Sequence, residues 1–220
     1  MSADEVRRIG ITTRVVQADG YDEPRDALAQ DWGRFMAAAL PDAAWTPVPN
    51  LGVAVVEHVK RLQLNALVLS GGEDLGVSPE RDETELSLLR HALGVGMPVL
   101  GVCRGLQLMQ MHFGGALVVR TDRSHVATRH TVCFERDPRG SIEARTEPLS
   151  MRVNSFHANS IRQLAPPLEV LAKDDEGAVE AAESVAHRLL GLMWHPEREA
   201  APSAVDTALL RSLFELEGGS

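Results

Sequence analysis

Apolar positions along the chain fall into two textures. Up to about residue 113, short apolar runs alternate with longer stretches that repeat every three or four residues, the periods of strands and helices. Arg8-Ile-Gly-Ile-Thr12 reads as a strand, and Pro24 to Leu40 reads as a helix with Leu28, Trp32, Phe35, Met36, Ala39 and Leu40 on one stripe. Trp45 to Val48 is a second strand, Val53 to Leu62 a helix, and Asn65 to Leu69 a buried strand that stops at Ser70-Gly71-Gly72. Glu83 to Leu93 is again helical through Leu86, Leu89, Arg90 and Leu93. Pro98 to Val102 is a buried strand running without a loop into a helix over Cys103 to Phe113.

Beyond Gly114-Gly115 the apolar runs are short and strand-like: Leu117 to Val119, His130 to Phe134, Leu168 to Ala172, Ala178 to Ala181 and Leu189 to Trp194. A helix over Ala204 to Leu216 closes the chain. Strands alternating with helices predict an α/β fold with a doubly wound, mostly parallel sheet, and the second texture predicts an antiparallel extension grafted on it.

At 220 residues, 44% hydrophobic and 24% charged, without a linker, repeat or low-complexity run, the chain reads as one domain over residues 1–220. No apolar run approaches the roughly 20 residues of a membrane helix. With 31 acidic against 22 basic side chains the net charge is -9, which argues against nucleic acid and leaves any anionic substrate to be met by local Arg or Lys. Cys103 and Cys133 are the two cysteines, and Met1 to Glu5 lacks the apolar core of a secretory signal. The expectation is a cytoplasmic protein without a disulfide framework or a membrane partner.

Gly101-Val-Cys103-Arg-Gly105 places a nucleophile between glycines two residues to either side, at a strand-to-helix junction. A sharp elbow needs small neighbours there, and the helix N-terminus favours a thiolate while the next N–H faces a developing oxyanion. The same pattern also suits a buried structural cysteine between packing glycines. His195 is the best-placed base, because the apolar run Leu189 to Trp194 ends at His195-Pro196-Glu197 and Glu197 can fix the imidazole tautomer. Ser70-Gly71-Gly72 is suited to a second oxyanion donor, and it lacks the spacing of a dinucleotide loop. His125 and His130 have no cysteine or paired carboxylates nearby in sequence, so they read as structural or solvent-facing rather than as metal ligands. Cys133 reads as core, and Met109, Met111 and Phe113 as helix packing. No metal or cofactor is expected.

Leu69-Ser-Gly-Gly-Glu-Asp74, Gly101-Val-Cys-Arg-Gly-Leu-Gln107, Asn154-Ser-Phe-His157 and Trp194-His-Pro-Glu197 together resemble the class I glutamine amidotransferase-like family, in its gamma-glutamyl hydrolase branch. The resemblance implies a flavodoxin-like core and hydrolysis of a γ-glutamyl amide through a glutamyl thioester, with glutamate and an amine or amidate released. It implies Cys103 as nucleophile, His195 as base, Glu197 as its orienter, and the N–H groups of Gly72 and Arg104 as oxyanion hole. Gln107, Ser155, Phe156 and His157 are implied to line the glutamyl pocket.

A narrower resemblance covers almost the whole chain through Gly10 to Arg14, Tyr21, Arg25, Ala29 to Gly33, Ala172 to Asp174 and Trp194 to Glu199. It points to a member whose γ-glutamyl group sits on a nucleoside diphosphoramidate used in capsule synthesis. Arg14, Tyr21 and Arg25 are then the candidates for phosphate and base contacts. Many polyamine-pathway relatives carry a second His after the one matching His157, where this chain has Ala158. Two other enzymatic readings stay open: a glutaminase supplying ammonia to a synthase, and a γ-glutamyl-GABA or polyamine hydrolase. A catalytically silent binding module on the same fold is the third. A small γ-glutamyl molecule is the expected partner, with no obligate protein partner.

Overall fold

The computed structural model describes residues 6–119, 125–136 and 149–216; the Met1 to Glu5 reading lies outside them. The first half contains β1 (Arg8–Thr12), β2 (Arg14–Gln17), β3 (Pro24–Ala27), α1 (Asp31–Ala39), β4 (Ala44–Val48), α2 (Val55–Arg61), β5 (Ala66–Leu69), α3 (Pro79–Val95), β6 (Val99–Val102) and α4 (Arg104–His112). The second half contains β7 (Val118–Val119), β8 (Val126–Phe134), β9 (Ser150–Phe156), β10 (Asn159–Ser160), β11 (Glu169–Asp174), β12 (Val179–Ser184), β13 (Leu189–Leu192) and α5 (Ala204–Phe214).

Nine of the strands form one sheet in the order β4-β1-β5-β6-β13-β12-β11-β8-β9. Pairing is parallel from β4 to β13 and antiparallel from β13 to β9. The parallel half is covered on both faces, so alternate residues of one strand enter different cores. Ile9, Ile11, Val68 and Leu100 pack with Trp32, Phe35 and Met36 of α1 and Leu209, Leu213 and Phe214 of α5. Leu67, Leu69 and Val99 pack on the other side with Val55 and Val59 of α2, Leu88 and Leu89 of α3, and Leu108 and Met109 of α4. Each such buried side chain is worth roughly 1.5–3 kcal/mol against exposure.

The expected α/β fold with its parallel core and antiparallel extension is present, and four local readings are corrected. Pro24–Ala27 pairs with Arg14–Gln17 as a hairpin, so the first helix starts at Asp31. Pro24 has no N–H to donate and sits where a two-stranded ribbon tolerates that. Leu189–Leu192 belongs to both halves, parallel to β6 and antiparallel to β12. β9 was not legible as a strand, because Asn154 and Ser155 are both buried and break the alternation of apolar and polar positions. Cys133 is exposed: Val132 and Phe134 face the core, so strand parity turns the residue between them outward.

The strand-to-helix elbow forms as the glycine spacing requires. Cys103 sits at φ 50° and ψ −98°, a strained backbone for a residue with a side chain. A Cβ on Gly101 would lie 2.6 Å from the Gly105 carbonyl carbon, and one on Gly105 would overlap the Leu69 carbonyl oxygen of β5. Backbone cannot give way there as a flexible side chain would. Gly105→Ala is therefore expected to lower stability by about 1–3 kcal/mol through overpacking, read as an earlier urea midpoint with an unchanged slope; an unaltered midpoint would show that the elbow has room to spare.

Candidate active site

Cys103 lies at the C-terminal end of β6 and the N-terminus of α4, where parallel strands open toward a ligand crevice. A cavity of about 430 Å³ sits over it, lined among others by Gly72, Arg104, Gln107, Phe156 and His157. Ser155 of the same segment is turned away, fully buried, with its hydroxyl donating to the His125 carbonyl at 2.7 Å. Its expected place in the glutamyl pocket is corrected on that ground.

His195 follows β13 directly, and its Nδ1 is 2.7 Å from the Glu197 carboxylate. The carboxylate accepts from Nδ1–H, which leaves Nε2 as the basic nitrogen. Asn154, which the sequence reading quoted only as part of a motif, brackets the backbone of His195. Its Oδ1 accepts from the His195 N–H at 2.9 Å and its Nδ2 donates to the His195 carbonyl at 2.8 Å. Phe156 packs edge-on to the imidazole, with ring centroids 5.7 Å apart. Gly71 completes the enclosure, because a Cβ there would collide with the His195 ring.

A buried ionic group lies behind the Ser70–Gly72 corner. Arg81 of α3 bonds Glu85 at 3.0 Å and Glu73 at 2.8 Å, and its Nη2 donates to the carbonyls of Ser70 at 2.9 Å and Gly71 at 3.1 Å. Arg104 pairs with Glu85 and Asp82, and Thr12 donates to Glu85 at 2.7 Å. In a trans peptide the N–H points opposite the carbonyl. Holding the Gly71 carbonyl on Arg81 therefore turns the Gly72 N–H to the other side. Arg81 and Glu85 are not legible when the helix is read from Glu83 along Leu86, Leu89, Arg90 and Leu93, because it starts at Pro79 and buries a different set of positions. Two oppositely charged residues four apart, beside Thr84 and Leu88 on the buried face, were the available signal.

The electrostatics of Cys103 correct the expectation of a resting thiolate. Burial, and next the Glu197 carboxylate, push its thiol up to about 12, outweighing the Arg104 N–H and the Arg198 charge. At neutral pH only about one molecule in 10⁵ carries the thiolate. A thiol in this state could act as a nucleophile only if it lost its proton to a base as it attacked.

The phosphate and base candidates divide. Arg14 is not among the cavity-lining residues but stands next to two that are, its Cβ beside Gly72 and its Nε 3.8 Å from Glu73. Tyr21 and Arg25 pair with each other on the exposed β2–β3 hairpin, the guanidinium 5.6 Å from the ring centroid, and neither lines the cavity. Of the structural and solvent-facing readings of His125 and His130, the burial of His125 leaves the structural one, and carboxylates distant in sequence lie beside both. His125 is buried against His157, Glu180 and Asp174, the carboxylates arriving from β11 and β12. Burial would raise the Glu180 carboxyl, but the facing His130 and His157 rings hold it below the ordinary range. Among the described residues, His125, His157 and Glu180 offer ligand atoms within 4.8 Å of one another.

Residues 9–197 match the family model described as Peptidase C26. The gamma-glutamyl-CDP-amidate hydrolase of Campylobacter jejuni is 32% identical over 214 residues, covering 94% of this chain and 98% of that protein. The gamma-glutamyl-gamma-aminobutyrate hydrolase of Escherichia coli O157:H7 is 29% identical over 164 residues, covering 66% of this chain and 61% of that protein. The solved structure of a glutamine amidotransferase from Thermotoga maritima superposes with a TM-score of 0.64 at 16% identity, covering 96% and 97% of the two chains.

The two cysteines are expected to separate by reagent. Iodoacetamide at neutral pH should modify exposed Cys133 first, and alkylation of Cys103 should still be accelerating at the alkaline limit of stability, because its thiol ionises near 12. Peptide mass spectrometry of a pH series reads both rates. Cys103 reacting first at neutral pH would show that its thiolate is already formed.

Proposed function

Since the chain belongs to the peptidase C26 family of glutamine amidotransferase-like hydrolases, we propose that it hydrolyses a γ-glutamyl amide through a thioester on Cys103. The reading rests on one juxtaposition: a strained cysteine at a helix N-terminus opens into a cavity whose lining residue Phe156 packs on His195, and the Glu197 paired with that His195 acts electrostatically on the cysteine. His195 takes the thiol proton as sulfur attacks the γ-carbonyl carbon, and Glu197 stabilises the imidazolium that forms. The N–H groups of Gly72 and Arg104 receive the oxyanion. His195 returns the proton to the leaving nitrogen, the tetrahedral intermediate collapses to a thioester, and the amine or amidate departs. Water, deprotonated by His195, then attacks the thioester and releases glutamate. Gln107, Phe156 and His157 line the space for the glutamyl moiety.

For the leaving group we infer a nucleoside diphosphoramidate, with γ-glutamyl-CDP-amidate as the substrate. The near full-length likeness to the Campylobacter jejuni enzyme supports this, and so does Arg14, a half-exposed cation next to the cavity-lining Gly72 in a chain of net charge -9. The exposed Tyr21–Arg25 pair is left to meet the base or distal phosphate. The E. coli relative supports a second reading, a γ-glutamyl-γ-aminobutyrate substrate, although Ala158 stands where polyamine-pathway relatives carry a second His.

Glutamate release from purified protein tests the reaction, and the choice of amide tests the leaving group. Cys103→Ala should abolish release while the protein stays folded, and a glutamine-analogue electrophile should label Cys103 and not Cys133. Turnover near wild type would remove the thioester. Arg14→Ala should raise KM for γ-glutamyl-CDP-amidate about tenfold to hundredfold, the value of one charge-assisted phosphate contact at roughly 1.5–3 kcal/mol, and leave a small neutral γ-glutamyl amide nearly unaffected. An equal loss on both substrates would place Arg14 in the support of the Gly72 corner instead.

A further inference from the structure

The antiparallel half carries a group of buried polar side chains that the hydrolytic chemistry does not use. His125 Nδ1 is 3.4 Å from His157 Nε2, His157 Nε2 is 3.4 Å from Glu180 Oε1, and His125 Nδ1 is 3.7 Å from the same oxygen. These three atoms make a nearly equilateral triangle. Ligands about 2.0–2.1 Å from a tetrahedral zinc ion stand about 3.3–3.4 Å apart. An imidazolium paired with a carboxylate closes instead to about 2.7–2.9 Å.

The groups behind the triangle aim it. His157 Nδ1 lies 3.0 Å from the carbonyl of Asn159, which can only accept, so Nδ1–H donates there and Nε2 is the ring nitrogen turned to the triangle. His125 Nε2 faces Asp174 Oδ2 at 3.5 Å, the position from which a carboxylate orients a metal-bound imidazole. His130 Nε2 stands 3.2 Å from the other Glu180 oxygen. Glu180 is fully buried, and the imidazoles of His130 and His157 are the groups that face its two oxygens. Two imidazole nitrogens and a buried carboxylate oxygen thus stand at a spacing that one shared cation would fill, and a buried carboxylate is stable only beside positive charge or donors.

We propose that His125, His157 and Glu180 bind one divalent cation of the zinc class, with Asp174 and His130 positioning the ligands. Two imidazole nitrogens and one carboxylate oxygen suit zinc, or cobalt in its place, better than calcium or magnesium, which prefer all-oxygen shells. The cation joins the β8 and β9 ends to β12, and its ligand His157 also lines the cavity over Cys103. The site does not depend on which amide the enzyme cleaves, nor on whether it cleaves one.

The test strips the full chain with a chelator, reloads it with one equivalent of Zn²⁺ and removes free ion by gel filtration. One zinc per chain should be retained, and X-ray absorption should show a shell of imidazole nitrogen and oxygen without sulfur. No retained zinc overturns the proposal, and so does a shell containing sulfur, which would place the ion on a cysteine. Because that measurement needs no substitution in the cluster, it holds even if cluster variants fold poorly. Glu180→Gln, checked for folding by circular dichroism, should weaken Zn²⁺ at least tenfold in a competition titration, while His58→Ala on α2 should leave it unchanged. Equal affinity in Glu180→Gln and the wild type would also overturn it.

Discussion

The Arg81–Glu85–Arg104 group is the constraint on which the geometry above it depends. It lies where β1, β5, α3 and α4 meet, and it grips backbone as well as side chains: Arg81 holds the Ser70 and Gly71 carbonyls, and Arg104 is the first residue of the elbow helix. Charges this deep are stable only in company, and removing one partner of a buried pair commonly costs about 3–5 kcal/mol. The group therefore does for the Gly72 corner what the glycine spacing does for the elbow. The two N–H groups proposed for the oxyanion hole therefore belong to backbone held by these contacts and by the elbow, the kind of pre-set donor geometry that electrostatic stabilisation needs.

The same enclosure that orders the site keeps its thiol neutral. A thiolate formed in advance would have to persist on a buried side chain near Glu197, and both conditions oppose it. A helix N-terminus and one N–H do not overcome them. On the proposed thioester route this shifts the weight of activation from the cysteine's surroundings to His195, whose placement occupies much of the local structure. Its backbone is held on both sides by Asn154, its ring by Phe156 and the bare Gly71, and its tautomer by Glu197. A misplaced imidazole would leave the thiol without a proton acceptor, whereas a modestly displaced thiol could still rotate about its side-chain bond.

What the sequence made legible follows from which forces write themselves locally. The parallel core was readable because both sheet faces are buried, so β5 and β6 appear as unbroken apolar runs, and the elbow was readable because steric exclusion at Gly101 and Gly105 acts over two residues. The apolar stripe of α1 was read correctly from Trp32 onward and wrongly before it, where Pro24–Ala27 is set by pairing with β2. Interactions that close only in space stayed hidden. Glu180 and Asp174 lie about fifty residues from His125, so the histidines looked unaccompanied. Arg81 and Glu85 looked like an ordinary solvated pair at helical spacing, and only the tertiary packing of α3 buries them. Ser155 shows the opposite error, since a residue inside a recognisable segment was assigned to the pocket although strand geometry spends its hydroxyl on the His125 carbonyl.

Buried polarity also answers a problem peculiar to the antiparallel half. Every residue of β12 from Val179 to Ser184 is buried, so the alternation of apolar and polar positions that normally pins a strand's register is missing there. Apolar packing alone would penalise a one-residue slip weakly, because Ala181 and Ala182 are nearly interchangeable in size. Glu180 is not interchangeable with either neighbour. A slip would turn its carboxylate to the opposite face, away from the three imidazoles, at the full cost of an unpaired buried charge. Pairing with β13 carries that register into the parallel sheet, where Gly191 lies beside Gly101 and Leu192 accepts the Cys103 N–H at 2.6 Å. The position of the elbow is thus fixed from both sides of β13, by glycine clearance on one and by a charge that can rest in a single place on the other.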